Sequence, residues 1–277
     1  MYKLKSFANG FEYIEVQNTA SSAKIALQGA HIFEYKRERE EDILWLSQES
    51  DFQKTKAIRG GVPLCWPRFG SLDKSLPQHG FARTMLFELL EVKEIHEGKT
   101  QLILELRDTK ESREIWDFSF KLQMKITIAK SLTMQLTTTN LDTKEMFLTQ
   151  AFHTYFNVSD ISDVTIIGLQ NRHYFDALVD EEFTQNAEIR FTQEVDRVYQ
   201  GVNAAVVLED KRRSISIKSS GSSSVVVWNP WIEKCKRMSG MQALAYKEFV
   251  CIESANAFDD FKSLKAGESH RLETLIC

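Results

Sequence analysis

Between Phe118 and Ile128 the chain alternates without a break: Phe118, Phe120, Leu122, Met124, Ile126 and Ile128 are apolar, and Ser119, Lys121, Gln123, Lys125 and Thr127 are polar. A period of two puts every apolar side chain on one side of an extended backbone, so the stretch predicts a half-buried β-strand. After Ala129-Lys130-Ser131 the alternation resumes with Leu132, Met134 and Leu136 against Thr133, Gln135 and Thr137, which predicts an antiparallel hairpin. Shorter runs of this kind recur at 24–28, 31–35, 101–106, 146–152, 164–167, 204–208, 214–218, 225–228, 249–253 and 271–276, and few segments sustain a helical apolar period. Many strands without intervening helices predict an all-β fold: a large antiparallel β-sandwich with few short helices. No low-complexity linker, Pro/Ser-rich break or fixed-period repeat interrupts residues 1–277, so one domain is expected.

With 277 residues, 43% of them hydrophobic, the chain can bury a sizeable core. Lys and Arg number 35 against 39 Asp and Glu, and the formal charge of -4 argues against nucleic acid as a partner. The first residues lack the continuous apolar core of a secretory signal, and no stretch has the ~20 apolar residues that would span a bilayer. The expectation is a cytoplasmic protein with no membrane partner. Cys65, Cys235, Cys251 and Cys277 form no C-x-x-C pair and are expected as free thiols. His31, His79, His96, His153, His173 and His270 show no metal-ligand spacing, so neither a metal nor another cofactor is expected.

Pro63, Pro67 and Pro77, three of only four prolines, crowd with Gly60, Gly61, Gly70 and Gly80 into one stretch that cannot be regular sheet. It also carries Trp66, Arg68 and Phe69 between Arg59 and Arg83, too apolar for an ordinary solvated loop. A second aromatic turn, Trp228-Asn229-Pro230-Trp231, could wall a pocket with it. Arg59-Gly60-Gly61 and Gly80-Phe81-Ala82-Arg83 join guanidinium to glycine, an arrangement suited to an anion such as phosphate; either Arg could equally be a plain surface residue. No Walker loop and no G-x-G-x-x-G is present, which leaves nucleotide-binding folds unsupported.

Strand alternation puts His153 with Tyr155 and Asn157 on one face, and Phe152, Thr154 and Phe156 on the other. His153 then faces a ligand or is a histidine bonded within the core. Glu253 follows Phe249-Val250-Cys251-Ile252 and is either a desolvated functional carboxylate or the point where a strand meets solvent. Asp196-Arg197 could be a solvated charge pair.

Five stretches together resemble a family: residues 58–70 (Ile-Arg-Gly-Gly-Val-Pro-Leu-Cys-Trp-Pro-Arg-Phe-Gly), 78–83 (Gln-His-Gly-Phe-Ala-Arg), 152–156, 228–231 and 250–256. Their order and content are similar to the D-hexose-6-phosphate mutarotases (glucose-6-phosphate 1-epimerases) of the aldose 1-epimerase group, over nearly the whole chain. The resemblance implies the galactose-mutarotase-like supersandwich, a catalytic pair at His153 and Glu253, and sugar-facing roles for His79 and Asp196. It further implies phosphate binding by Arg59 and Arg83, with Arg68 as a third candidate and Trp66 or Trp228 as the pocket floor. Two departures stand out: Phe87 where the family usually has Trp, and Lys236-Arg237-Met238-Ser239-Gly240-Met241 without the usual acidic residues. The implied activity is metal-free and cofactor-free interconversion of the α and β anomers of a hexose 6-phosphate by a monomer, with a small-molecule sugar phosphate as its only partner. Two other readings stay open, a non-catalytic sugar-phosphate sensor and a mutarotase of unphosphorylated hexoses.

Overall fold

The computed structural model describes residues 1–70 and 76–277, so part of the proline- and glycine-rich stretch lies outside the described residues. The hairpin forms as the alternation requires, with strands Phe120–Ile128 and Leu132–Asn140 in continuous register from Phe120 opposite Asn140 to Ile128 opposite Leu132. Phe118 drops out of the strand because its ring packs on Trp116 instead. Leu122, Met124, Ile126, Leu132, Met134 and Leu136 are all fully buried. Each such side chain contributes about 1.5–3 kcal/mol of burial free energy.

The hairpin is central to a nine-stranded antiparallel sheet with spatial order 189–190, 165–167, 206–210, 213–220, 269–276, 132–140, 120–128, 99–107 and 88–96. An eight-stranded antiparallel sheet runs 181–184, 173–176, 195–199, 224–229, 249–256, 150–152 and 64–65, with 155–157 also paired to 249–256. A four-stranded sheet of residues 2–6, 12–17, 21–26 and 31–37 completes the scaffold with a two-stranded ribbon of 146–148 and 262–264. Among the described residues, α-helix is confined to Lys110–Ile115 and Trp231–Arg237. The all-β sandwich expected from alternation is the observed fold.

The two large sheets share one apolar core, which holds Leu122, Met124 and Leu136 of one together with Phe152, Val225, Val227 and Ile252 of the other. Pleat parity sends the intervening residues of the second sheet to its opposite face, where Cys65, Ala151, Val198, Val226 and Ala255 form a separate small cluster. That outer face carries the chemistry. Residues 146–152, read from sequence as one strand, are two: Met146–Leu148 pairs with Lys262–Leu264, and Gln150–Phe152 pairs with Asn256–Ser254 in the eight-stranded sheet.

Trp66 is not a pocket floor. Its indole is fully buried, donates its N–H to Thr138 Oγ1 at 2.9 Å, and packs edge-on against Phe81 and Trp116 and tilted against Phe120. The glycine pairing of the arginines also has a different cause from anion binding. Gly61 donates its N–H to the Trp45 carbonyl and Gly80 to the Pro77 carbonyl, so these amides are consumed by the fold. Both have positive φ, and a β-carbon would collide with the Ile32 carbonyl oxygen at Gly61 and the Trp66 carbonyl oxygen at Gly80. The glycines let the loop lie flat on the sheets, and the guanidinium groups alone face the pocket. Trp66→Phe should therefore lower stability by about 1–3 kcal/mol in urea unfolding. It should leave KM for any sugar ligand unchanged, as measured by steady-state kinetics.

Candidate active site

Antiparallel register decides which side chains meet. Residues 150–152 and 155–157 pair with 249–256 in one unbroken register, from Gln150 opposite Asn256 to Asn157 opposite Phe249. Between them, Ile252 N–H donates to the Thr154 carbonyl at 3.2 Å and His153 N–H turns away to the Pro63 carbonyl at 3.0 Å. His153 thus stands opposite Glu253. The neighbouring registers extend this row, with Glu253 opposite Val226 and Val226 opposite Val198. One step along, Tyr155, Cys251, Trp228 and Asp196 form a parallel row. Directly opposed residues share a face, so both rows lie on the outer side of the sheet.

His153 Nδ1 lies 3.4 Å from Glu253 Oε1, within ion-pair reach but out of line for a hydrogen bond. Glu253 is 1% exposed and His153 9%. Both His153 Nδ1 and Glu253 Oε2 are buried polar atoms without a hydrogen-bond partner in the protein, which leaves them to a ligand. They open into a cavity of about 360 Å³ whose wall includes Arg59, Gln78, His79, Arg83, Tyr155, Asp196, Val226, Trp228, Lys234 and Met238. The ring of His153 stacks on Tyr155 at 4.9 Å, and Trp228 stands edge-on to it at 5.7 Å.

The glycine- and proline-rich loop delivers the rest. His79 stands edge-on to His153 at 5.6 Å, and its Nδ1 accepts from the Gly70 N–H at 3.3 Å, with Cys65 Sγ at 3.4 Å. Arg83 donates to the Gln78 carbonyl at 2.6 Å and Arg59 to the Ser239 carbonyl at 3.4 Å. Among the described residues no carboxylate comes within ion-pair distance of either guanidinium. The second turn is set by Asn229, whose side chain donates to the Tyr246 and Phe249 carbonyls and accepts from Trp231 N–H. The helix that follows aims Lys234 at the site, 2.8 Å from Glu194, 3.5 Å from Asp196 and over the Trp228 ring.

Burial pushes the Glu253 carboxyl well above the ordinary carboxylate range, and the Asp196 charge pushes it further. Burial also holds His153 well below the usual imidazole range, helped by His79 and by the positive charges of Arg83 and Arg59. His79 is lowered to about 3, first by burial and then by the same two arginines. Asp196 is raised by burial, an effect that Lys234 opposes. Before a ligand arrives, the site thus favours neutral histidines and a protonated Glu253.

Of the residues expected from sequence, His153, Glu253, His79, Asp196, Arg59, Arg83 and Trp228 line one cavity. Arg68 does not join them; it lines the adjoining cavity and donates to the Phe147 carbonyl at 2.7 Å. Phe87 is buried in the core, so that departure from the family pattern affects packing. The departure at 236–241 lies on the rim, where Met238 lines the cavity and the Ser239 carbonyl receives Arg59. Sequence reading missed Lys234, Gln78 and Met238. The first and last were legible only once the turn at 228–231 was seen to open a helix, which puts Trp231, Lys234 and Met238 near one face. Among the described residues no three His, Cys, Asp or Glu side chains gather to hold a metal ion.

An antiparallel supersandwich with a buried imidazole–carboxylate pair in a cation-rimmed cavity defines a carbohydrate-active class of protein. Residues 12–277 match the aldose 1-epimerase family model, and the chain belongs to that family. Relatives named as candidate glucose-6-phosphate 1-epimerases include one from Cenchrus ciliaris, 36% identical over 90% of this chain and 79% of its own length. Another, from Escherichia coli, is 35% identical over 95% of this chain and 90% of its own. A crystal structure described as a candidate mutarotase from Salmonella typhimurium superposes with a TM-score of 0.93 at 32% identity, covering 100% of this chain and 92% of that one. The galactose mutarotase related enzyme of Lactobacillus acidophilus, at 16% identity and TM-score 0.74 over 95% of each chain, shares the fold.

The raised Glu253 pKa has a thermodynamic sign. Unfolded Glu253 loses its proton near the ordinary value of 4.5 while the folded protein still holds it, so from there upward the native state binds more protons and stability falls with pH. The slope is at most about 1.4 kcal/mol per pH unit. Glu253→Gln removes this penalty. The variant should unfold at higher urea than the wild type at pH 8, with a gap that shrinks toward pH 5.

Proposed function

We propose that this member of the aldose 1-epimerase family interconverts the α and β anomers of a hexose 6-phosphate, with glucose 6-phosphate as the expected substrate. One observation carries the reading: a buried His153–Glu253 pair at 3.4 Å faces a cavity whose rim holds two guanidinium groups that meet no carboxylate among the described residues. Anomerisation requires a base for the proton on O1 and an acid for the ring oxygen. When both act, the bond from C1 to the ring oxygen breaks and the aldehyde forms; rotation about C1–C2 and the reverse proton transfers close the ring on the other face. Glu253 is the base and His153 the acid, each worth about 10²–10⁴-fold.

Substrate itself prepares this pair. The arginines that depress His153 are the groups that bind the 6-phosphate, and a dianion between them cancels their repulsion. Burial, the larger cause of both shifts, remains, but the smaller electrostatic part now favours the carboxylate base and imidazolium acid that the reaction uses. His79 and Asp196 hold sugar hydroxyls, and Trp228 with Tyr155 forms the apolar wall. The remote phosphate supplies binding energy that orients the ring. Free thiols at all four cysteines and a phosphorylated substrate fit the reducing cytoplasm.

Glu253→Gln and His153→Asn should each fold and lose at least about 100-fold in anomeric exchange of glucose 6-phosphate, followed by exchange NMR or polarimetry. Near wild-type exchange in either variant removes that residue from the chemistry. Arg59→Ala and Arg83→Ala each delete a charge-assisted contact worth about 1.5–3 kcal/mol, so kcat/KM for glucose 6-phosphate should fall about 10–150-fold while that for free glucose does not fall, because His153 is then less depressed. Equal losses on both sugars contradict phosphate binding.

A further inference from the structure

One short segment, residues 28–31, touches the backbone beside both arginines, yet neither Gln28 nor His31 lines the catalytic cavity. His31 is 1% exposed and its Nε2 lies 2.8 Å from the carbonyl oxygen of Gly60, the residue after Arg59. A carbonyl can only accept, so Nε2 carries the proton, and Nδ1 is left buried without a partner. Burial, opposed by the bond to Gly60, lowers His31 to about 4, so near neutral pH the ring holds this one proton. Gln28 engages the approach to Arg59 with both ends of its amide: Oε1 accepts from the Thr55 N–H and Nε2 donates to the Lys56 carbonyl, each at 2.8 Å.

The same segment grips the Arg83 side through its backbone. Gly29 N–H donates to the Met85 carbonyl at 2.8 Å, Phe87 N–H donates to the Leu27 carbonyl at 2.9 Å, and Gln28 pairs with Leu86. Gly29 lies so close that a β-carbon there would fall 2.8 Å from the Arg83 carbonyl oxygen. Arg59 therefore sits between two side-chain clamps, Gln28 on residues 55–56 and His31 on Gly60, with Ser47 N–H on its carbonyl and Ser50 Oγ on its own N–H, both at 3.1 Å. Packing alone does not call for His31, because an apolar side chain would fill a buried site without an orphaned nitrogen. Two guanidinium groups share one phosphate only at a matched spacing, since charge-assisted hydrogen bonds are short and directional.

We propose that Gln28 and His31 are positioning residues for phosphate recognition: they hold residues 55–60 at the distance from Arg83 that lets Arg59 and Arg83 bind one phosphate, without touching substrate themselves. The proposal rests on the two arginines binding the 6-phosphate. Exchange NMR with glucose 6-phosphate and with glucose, on Gln28→Ala, His31→Ala, His31→Gln, Arg59→Ala and the double variant of His31→Ala with Arg59→Ala, tests it. Gln28→Ala and His31→Ala should each lower kcat/KM for glucose 6-phosphate about tenfold, mainly through KM, and cost glucose about twofold or less. His31→Gln keeps a nitrogen donor near the position of Nε2 and should return glucose 6-phosphate exchange to within about threefold of wild type. In the Arg59→Ala background, His31→Ala should add almost no further loss on glucose 6-phosphate, because the group it positions is gone. Should His31→Ala not fold, Gln28→Ala carries the test, since Gln28 borders a separate cavity of about 310 Å³.

Equal losses on both sugars, an unchanged glucose 6-phosphate reaction, a His31→Gln variant as impaired as His31→Ala, or losses that add in full to those of Arg59→Ala overturn the positioning role. Arg59→Ala alone separates the two readings. If it does not discriminate between the sugars, the phosphate reading fails and the clamp with it; if it discriminates while the clamp variants do not, the clamp alone fails.

Discussion

A single register between two antiparallel segments, 150–157 and 249–256, carries the active site. It sets an imidazole directly opposite a carboxylate, with the inner-face side chains of the same strands all buried. A slip of one residue would send Phe152 and Phe156 outward and His153 into the hydrophobic layer, so core packing and the geometry of the candidate site are fixed by the same hydrogen bonds. The break at His153 and Thr154 belongs to this design. By giving its N–H to Pro63 instead of the central ladder, His153 ties the sheet to the loop that brings His79 and the arginines.

Holding that pair out of water is costly for the fold. A carboxyl 1% exposed with an unpartnered oxygen, beside an imidazole with an unpartnered nitrogen, destabilises a ligand-free protein. The surrounding structure offsets the cost through the large shared core of two sheets and through side-chain bonds that lock the site's supports, such as Asn229 at the aromatic turn. Rigid sheet beneath and a glycine-tightened loop above leave little room for the two groups to relax toward other partners, so their unmet hydrogen bonds remain available to a sugar.

Much of this was legible in the chain. Alternation from Phe118 onward specified the central hairpin, because a pattern of period two can bury its apolar half only as a strand. The edges were harder. Tyr2–Ser6 has only one residue not fully exposed, and Glu88–His96 is a charged edge strand with register shifts, so neither carries a clean apolar period. At the site, His153 and Glu253 each had a bland alternative in sequence, and what speaks against it is structural: Glu253 is buried and His153 Nδ1 finds no hydrogen-bond partner in the protein. Trp66 shows the reverse failure. An aromatic in a motif rich in arginine and glycine reads as a ligand wall, yet its indole finds Thr138 at sequence distance 72, a partner that no local pattern announces.

The charges explain why a phosphate far from C1 can matter to chemistry at C1. Arg59 and Arg83 depress both histidines, so a neutral sugar meets an imidazole reluctant to hold the proton that the ring oxygen needs. On the proposed reading, a phosphate dianion between the arginines neutralises that part of the local field. On that reading its binding energy is expressed partly as affinity and partly as a weaker bias against the charged form of His153. Water could not supply the same coupling, because at high dielectric the charge–charge interaction that shifts the proton would be nearly screened away. On the proposed reading, burial of the pair, which costs stability, is therefore what lets a remote charge on the substrate act on the acid.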